Sequence, residues 1–345
     1  HDKGSLTFLS TPSLSNSGSL SVSNGQLVLQ NGGTVNGSSL QLSASVFKPT
    51  GTVSVTNGGT FALNETSSVV LQGDTTLNQA GTVSWPELDL GSKKLTLGST
   101  VSSFTVQKAL NIANGESLIS SSSDVNLSNT LSIANGGELS SGSGDVNLSN
   151  TLSIANGGKL SSGSGDVNLS KTLTIANGGK LSSGSGDVQI SEALTLNGEI
   201  EQGGGILNLM KGGTVGATGT LDVGDSELKL GAALSISGTL AANSASQWSG
   251  WSGTLDLTAG TLEAAGGSLS LSDFSTGAGT TLKLSADTEI TSASDYIFGT
   301  VNLSGKKLTL GGNGGLTLPN ALTMTAGSKI ETKTSDLTLS KELLL

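Results

Sequence analysis

Four aspartates share one position of an internal repeat. The position recurs every 21 residues and is occupied by Asp124, Asp145, Asp166 and Asp187. If the repeats stack, the carboxylates lie about 5 Å apart and repel by about 1 kcal/mol per neighbouring pair, even in a high dielectric. A row of Ca²⁺ ions would relieve this repulsion, because hard cations bind carboxylate and carbonyl oxygens. The spacing therefore predicts either a calcium ladder or solvated carboxylates that accept hydrogen bonds from turn amides.

Two tryptophans form the densest aromatic cluster of the chain. Trp248 and Trp251 lie in a short stretch of glycine and serine. Aromatic rings can stack on the face of a sugar or on a protein partner, and they can equally fill a wider section of the core or cover a corner. The pair is therefore a candidate ligand contact, and packing is its alternative role.

Pairs of carboxylates are the remaining candidates for catalysis. Glycoside hydrolysis needs two carboxyl groups about 5–10 Å apart, and Glu199/Glu201 or Asp222/Asp225 are close enough in sequence to meet this condition. Neither pair lies beside a long insertion that would shape a cleft. The one histidine is His1, which argues against a Ser/His/Asp triad and a histidine-ligated zinc site. We assign no catalytic residue and expect a non-catalytic protein without a cofactor, with calcium as the one metal considered.

Composition narrows the class of partner. The chain has 345 residues, a net charge of -10, no cysteine and no arginine. Nucleic acid is disfavoured, because phosphate binding relies on clustered basic charge and arginine is its best ligand. The acidic balance disfavours anionic membranes, and no apolar run approaches the roughly 20 residues that span a bilayer. We therefore expect neither nucleic-acid binding nor direct membrane insertion.

The repeat predicts the elements that carry these residues. Two adjacent copies begin at Leu131 and Leu152 and read LSIANGGELSSGSGDVNLSNT and LSIANGGKLSSGSGDVNLSKT. Apolar and polar residues alternate in three short runs, as half-buried strands require, and Ala-Asn-Gly-Gly and Ser-Gly-Ser-Gly turns separate them. Three strands and three corners describe one triangular coil. The predicted fold class is all-β, a parallel β-helix (β-solenoid) with three short strands per coil.

Stacked coils align equivalent side chains into ladders about 4.8 Å apart. Five apolar ladders are expected to form the core: Leu110/Leu131/Leu152/Leu173, Ile112/Ile133/Ile154/Ile175, Leu118/Leu139/Leu160/Leu181, Val125/Val146/Val167/Val188 and Leu127/Leu148/Leu169/Ile190. One coil cannot fold alone, because ordering its residues costs more than its apolar burial contributes.

Two outward ladders are polar. One contains the amides Asn126/Asn147/Asn168/Gln189, which can form a hydrogen-bonded chain along the stack. The other contains the hydroxyls Ser132/Ser153/Thr174/Thr195, a row that we do not expect to extend further. We expect the amide ladder to stabilise one face, and the hydroxyl row is too short and too mixed for an ice-binding surface.

The chain is expected to be a single solenoid over residues 1–345, with its most regular repeats at 110–196. The flanks keep the same corner chemistry, with turn-like pairs such as Asn197-Gly198 and Thr218-Gly219 at looser spacing. About sixteen coils would fit and would form a rod roughly 75–80 Å long. The chain begins without a methionine and ends on the apolar run Leu343-Leu344-Leu345, so we expect it to be part of a longer polypeptide.

Segments such as Gly260–Leu269, which reads GTLEAAGGSL, resemble the roughly 20-residue repeats of bacterial surface β-solenoids. The similar families are autotransporter passengers and filamentous-haemagglutinin-like exoproteins. The resemblance covers most of the chain through repeat period and style, and it includes no catalytic or receptor motif. It implies a secreted parallel β-helix, usually right-handed, that works at the cell surface as an adhesin, a stalk or a delivery arm.

The repeat and the resemblance together predict an extracellular or cell-surface structural or adhesive protein that forms a stiff rod or filament. Its expected partners are other copies of itself or components of the cell surface and matrix. The alternative function is a carbohydrate-binding or carbohydrate-processing β-helix module. In that case glycans would be the partners, and Trp248 and Trp251 would contact them.

Overall fold

Strands are the only regular elements in the described part of the chain. The computed structural model describes residues 4–243, 245–248, 252–271 and 274–344, which fall into two compact units, His1–Lys171 and Thr172–Leu345. The strands of successive coils pair in parallel, which confirms the predicted β-solenoid of about sixteen coils roughly 21 residues apart. Among these residues no helix is long and apolar enough to cross a membrane.

Within the residues that the structure describes, the first unit contains 24 strands, numbered in chain order. They are β1 (Ser5–Phe8), β2 (Ser13–Leu14), β3 (Ser19–Ser23), β4 (Gln26–Leu29), β5 (Gly33–Asn36), β6 (Ser39–Ser43), β7 (Val46–Pro49), β8 (Gly51–Thr56), β9 (Thr60–Leu63), β10 (Ser68–Val70), β11 (Thr75–Gln79), β12 (Gly81–Trp85), β13 (Leu88–Asp89), β14 (Lys94–Leu97), β15 (Val101–Val106), β16 (Leu110–Ile112), β17 (Ser117–Ser120), β18 (Asp124–Leu127), β19 (Leu131–Ile133), β20 (Glu138–Ser141), β21 (Val146–Leu148), β22 (Leu152–Ile154), β23 (Lys159–Ser162) and β24 (Val167–Leu169).

The second unit contains β25 to β50. They are β25 (Leu173–Ile175), β26 (Lys180–Ser183), β27 (Val188–Ile190), β28 (Leu194–Leu196), β29 (Glu199–Gln202), β30 (Ile206–Leu209), β31 (Gly213–Val215), β32 (Thr220–Asp222), β33 (Glu227–Leu230), β34 (Leu234–Ile236), β35 (Thr239–Ala242), β36 (Gln247–Trp248), β37 (Leu255–Asp256), β38 (Thr261–Ala264), β39 (Gly267–Ser270), β40 (Phe274–Ser275), β41 (Thr281–Leu284), β42 (Thr288–Ser292), β43 (Tyr296–Ile297), β44 (Thr300–Asn302), β45 (Lys307–Gly312), β46 (Leu316–Leu318), β47 (Leu322–Thr323), β48 (Lys329–Thr332), β49 (Leu337–Leu339) and β50 (Leu343–Leu344).

Each strand of a regular coil pairs with the strand three places later in the chain. Leu131 lies opposite Leu152, and Val146 lies opposite Val167, so the register in the first unit equals the sequence period. The register is fixed because a slip of one residue would turn every apolar side chain towards solvent. The period of the sequence is therefore the period of the structure.

The five predicted core ladders are confirmed as buried in both units. None of their members is more than 2% exposed, from Leu110 in β16 to Ile190 in β27. A sixth inward position was missed by the sequence analysis, because it is polar. Ser141 and Ser162 are buried there, and their hydroxyls donate to the carbonyl oxygens of Gly144 and Gly165 at 2.5 and 2.6 Å. Each of these serines therefore bridges its Ser-Gly-Ser-Gly corner on the side that faces the core.

The Asn-Gly-Gly corner needs its two glycines for different reasons. Gly136 adopts a φ of +74°, a left-handed conformation that favours glycine. Gly137 has no room for a side chain, since a Cβ there would lie 2.3 Å from the carbonyl oxygen of Ile112 in the preceding coil. The corner also closes on itself, because the Gly137 amide donates to the carbonyl of Ala134 at 3.0 Å. Backbone conformation and close stacking therefore both constrain this turn.

Close stacking predicts opposite effects for two glycine substitutions. A Cβ at Gly144 would lie 2.1 Å from the carbonyl oxygen of Ser123, whereas a Cβ at Gly204 meets nothing nearer than 3.6 Å. We expect Gly144→Ala to destabilise the protein by about 1–3 kcal/mol, because backbone must move. We expect Gly204→Ala to be neutral or to stabilise by up to about 1 kcal/mol, through a smaller unfolded-state entropy. Urea unfolding of both variants measures this, and equal midpoints would contradict the stacking account.

Candidate functional site

The repeated aspartates are half-buried at or just before the first residue of each third strand, where they accept hydrogen bonds from the next coil. Asp124 Oδ1 accepts from the amide of Asp145 at 3.0 Å, and Asp145 Oδ1 accepts from the amide of Asp166 at 2.9 Å. In the second unit, Asp187 Oδ1 accepts from the amide of Ile206 at 2.8 Å. Each of these bonds joins a carboxylate to a backbone N–H of the following coil. The structure therefore gives these carboxylates a role that requires no metal.

The calcium hypothesis stays a prediction for these four positions. No group of three or more acidic or histidine side chains within the described residues is arranged to hold a metal ion. One Oδ atom of Asp124 and of Asp145 accepts from a backbone amide of the next coil, which leaves the second oxygen of each as the atom that a cation would bind. A calcium row would then bind carboxylates that already accept hydrogen bonds from the backbone.

The outward amides form the predicted hydrogen-bonded chain in the first unit. Asn168 Nδ2 donates to Asn147 Oδ1, and Asn147 Nδ2 donates to Asn126 Oδ1, both at 3.0 Å. The chain ends on the hydroxyl of Ser103, which accepts from Asn126 at 2.8 Å. Successive amides polarise one another in such a chain. It therefore stabilises the stack along the same face that carries the aspartates.

The hydroxyl row extends further than the sequence analysis predicted. In the second unit, Thr174 lies opposite Thr195, Thr195 opposite Thr214 and Thr214 opposite Ser235. The expectation that the row stops at Thr195 was wrong, because the spacing shortens from 21 to 19 residues at Thr214 and the column does not follow a constant period. Pairing within the sheet, and not sequence spacing, sets which side chains share a column.

The candidate ligand contact consists of Trp248 and Trp251, of which Trp248 lies within the described residues. Trp248 ends β36, is half-buried, and packs edge-to-face against Phe274, with ring centroids 5.4 Å apart and an interplanar angle of 88°. This geometry is typical of aromatic packing. Trp251 lies outside the described residues. The packing role thus gains support for Trp248, and the ligand contact formed by the pair stays a prediction.

Glu199 and Glu201 share one face of β29, as their alternation predicts, and a single ammonium binds both. Lys180 Nζ lies 3.1 Å from Glu199 Oε1 and 2.6 Å from Glu201 Oε2. Through its hydrogen bond to the carboxylate, Lys180 holds the pKa of Glu201 below its ordinary value of 4.5. A general acid in a glycosidase needs a raised pKa instead. The electrostatics of this pair therefore suit an ion pair between coils and not acid–base catalysis.

The second carboxylate pair is also engaged by its surroundings. Asp222 Oδ1 accepts from the amide of Gly224 at 3.0 Å, and Asp225 Oδ1 accepts from the side-chain amide of Asn243 at 2.7 Å. Asp222 lies in β32, whereas Asp225 lies in the exposed turn that follows it. The two carboxylates therefore serve separate local hydrogen bonds.

A concave polar surface around Ala241 was not predicted. Ala241 in β35 lies opposite Asp222 of one neighbouring coil and opposite Glu263 of the other. Thr239 and Asn243 stand on either side of it along the chain, and all five residues line a depression of about 440 Å³. We call this depression the Ala241 cup. Its in-register neighbours lie 19 and 22 residues away in the chain, so no constant period of the sequence pointed to this depression.

A buried carboxylate was also missed. Glu116 stands where the following repeats have the second glycine of the corner, and it is only 7% exposed. Its Oε1 accepts from the amide of Ser92 at 2.8 Å, and its Oε2 accepts from the amide of Ala113 at 2.7 Å. One side chain thereby joins two coils at the point where the regular repeat begins. The departure from the Asn-Gly-Gly consensus was the available signal.

Substitution of one repeated aspartate separates its two roles. We expect Asp145→Asn to leave stability unchanged, because the amide oxygen can still accept from the Asp166 amide. We expect Asp145→Ala to cost about 1 kcal/mol, since that N–H loses its acceptor. Thermal unfolding with and without calcium measures both, and calcium should leave the Tm of the wild type unchanged. A calcium-dependent rise in the Tm of the wild type that is lost in Asp145→Asn would instead establish the metal ladder.

The ion pair of Lys180 predicts a small dependence of stability on pH. Because the pKa of Glu201 is lowered in the folded state, its contribution is present above the unfolded value of 4.5 and is lost as pH falls through the folded pKa. The pair is about half-exposed, so the contribution is at most a few tenths of a kcal/mol. We expect Lys180→Met to return the pKa of Glu201 to about its ordinary value in a side-chain NMR titration. An unchanged titration would contradict the assigned contact.

Comparison with known proteins gives no further assignment. No protein-family model matches the chain, no curated protein matches it, and no solved structure matches it. The resemblance to bacterial surface β-solenoids therefore stays a prediction.

Proposed function

We propose that this chain is a non-catalytic structural or adhesive protein of the cell exterior, in which stacked coils form a stiff rod or filament. The observation that carries the proposal is how the polar residues are used. In the regular coils the inward serines, the corner glycines and the repeated aspartates all serve contacts with the same coil or with the next one. A protein whose polar residues mainly form contacts within and between coils is suited to a mechanical role.

The carboxylate pairs support the absence of catalysis in this proposal. Glu199 and Glu201 are held by Lys180, and Asp222 and Asp225 bind separate amide groups. A hydrolase would need one carboxyl group with a raised pKa and a second one positioned across a cleft. We therefore propose that these groups act in folding, and that partners bind the outward faces of the coils.

The cell-surface location is proposed from the resemblance in repeat style together with the composition. Charged residues make up only 12% of the chain, whereas about 25% is usual for globular proteins. Uncharged hydroxyl and amide groups form much of the exposed surface, as in the rows of Thr195 and Asn147. Other copies of the chain, or components of the cell surface and matrix, are the proposed partners.

Electron microscopy of cells that produce the protein tests this function. With immunogold labelling, we expect the label outside the cell envelope, on rods or filaments. Label confined to the cytoplasm would overturn the proposal. The purified protein should also release no sugar from a panel of polysaccharides, and release of products that Glu201→Gln abolishes would show a hydrolase instead.

Two glycine variants provide the matched control for the stacking argument. We expect Gly204→Ala to form the same particles as the wild type, because its new methyl group has space. We expect Gly144→Ala, which introduces a clash with Ser123 of the adjacent coil, to give shorter or irregular particles. Identical particles for both variants would show that close stacking does not limit assembly.

A further inference from the structure

The Ala241 cup has the form of a small binding site on an otherwise regular sheet. At the outward position of Ala241 the side chain is a single methyl group, and its two in-register neighbours are the carboxylates Asp222 and Glu263. Adjacent rungs are about 4.8 Å apart, so the two neighbours are separated by about 9.6 Å at the backbone. The missing bulk of one side chain therefore leaves a gap between two acidic walls.

The walls of the cup carry unused acceptors. Asp222 uses Oδ1 for the Gly224 amide at 3.0 Å, and Glu263 uses Oε1 for the Lys283 ammonium at 2.9 Å. The second oxygen of each carboxylate makes no other hydrogen bond with described residues. Thr239 adds a hydroxyl group that can both donate and accept, while Ala241 gives the floor an apolar surface. The cup thus combines strong acceptors at its rim with a methyl floor.

A column of threonines continues the polar surface beyond the cup. Thr220, Thr239, Thr261, Thr281 and Thr300 lie opposite one another on five successive strands, from β32 to β44. Each hydroxyl group is one rung, about 4.8 Å, from the next. A chain-like ligand that occupies the cup can therefore continue along the coil axis and meet a further hydroxyl at every rung.

We propose that the Ala241 cup binds one hexose unit of a neutral glycan chain, with the threonine column as the surface along which the chain continues. The inference rests on the proposed adhesive role, for which it supplies the class of ligand. Sugar hydroxyls donate to the free oxygens of Asp222 and Glu263, and the apolar face of the ring packs on the methyl group of Ala241. This is the usual composition of a small-molecule site, in which a few polar groups fix orientation above an apolar surface.

Charge and spacing disfavour an anionic sugar and a single Ca²⁺ as ligands of the cup. An anionic sugar would be repelled by both walls, because Lys283 compensates only one of the two carboxylates. A single Ca²⁺ needs oxygens at about 2.3–2.6 Å from the metal, and no acidic cluster suited to a metal occurs in the described residues. A neutral polyhydroxylated ring satisfies the acceptors without bringing in a like charge.

A larger side chain at position 241 would occupy the cup and test the proposal while the protein stays folded. Ala241→Lys adds an ammonium group between two carboxylates, so the fold should be at least as stable, while the cup is occupied. Ser235→Lys is the matched control, because Ser235 is the exposed middle residue of β34, on a different sheet of the same unit. Circular dichroism and the Tm of each variant confirm that both are folded. Asp222→Asn removes one charge at constant shape.

Isothermal titration calorimetry of the purified full chain provides the measurement. The probes are oligosaccharides of glucose, of mannose and of galactose, with a galacturonate oligomer as the anionic counterpart. We expect one neutral series to bind and the galacturonate oligomer not to bind. We expect Ala241→Lys to weaken binding by about tenfold or more, Asp222→Asn to weaken it by a smaller factor, and Ser235→Lys to leave it unchanged.

The outcomes separate this proposal from the general function. If the wild type binds none of the neutral probes, or if Ala241→Lys binds as the wild type does, the cup is not a glycan site. If the galacturonate oligomer binds better than the neutral probes, the charge argument is wrong. Immunogold labelling measures location and does not depend on glycan binding. The proposed structural role can therefore be correct even if the Ala241 cup binds no glycan.

Discussion

Each coil of this protein depends on the backbone hydrogen bonds that it makes with the coils on either side. A single coil buries too few side chains to offset the entropy of its ordered backbone, so stability comes from the repetition of parallel pairing. Leu131 pairs in this way with Leu152, and Val146 with Val167. Such stacks gain their stability through nearest-neighbour contacts, and stability grows with the number of units.

The corners follow from this constraint. Adjacent coils approach so closely at the turns that a Cβ at Gly137 or Gly144 would meet carbonyl groups of the preceding coil. The same closeness leaves polar groups of the turn without access to water, and side chains satisfy them. The Ser162 hydroxyl donates a hydrogen bond to the carbonyl of Gly165 within one corner. Asp145 accepts a hydrogen bond from an amide of the following coil. Glu116 accepts hydrogen bonds from two amides where the regular repeats begin. Repeated aspartates, which in the sequence resemble a potential metal site, therefore form hydrogen bonds with backbone groups of the corners.

The outward positions are free of this requirement, and they are where the coils differ. Lys180 binds both Glu199 and Glu201, and the amides from Asn126 to Asn168 form a chain. Ala241 interrupts a column of acidic side chains. A solenoid can vary these positions without disturbing the core, because strand alternation separates the two faces. Functional surfaces in such a protein are expected in outward columns, and an interruption in a column is a place where a ligand can enter.

The sequence by itself determined the repeat unit, its three strands and the five core ladders, because alternation and a constant period encode which side chains face inward. It also identified the amide chain of Asn126, Asn147 and Asn168, whose spacing is constant. Only the tertiary structure decided the columns of the second unit, where the spacing varies and strand pairing alone aligns Thr195 with Thr214 and Thr239 with Thr261. The Ala241 cup belongs to that second group. Its walls come from residues 19 and 22 positions away in the chain, and they become neighbours only when parallel strands fix their register.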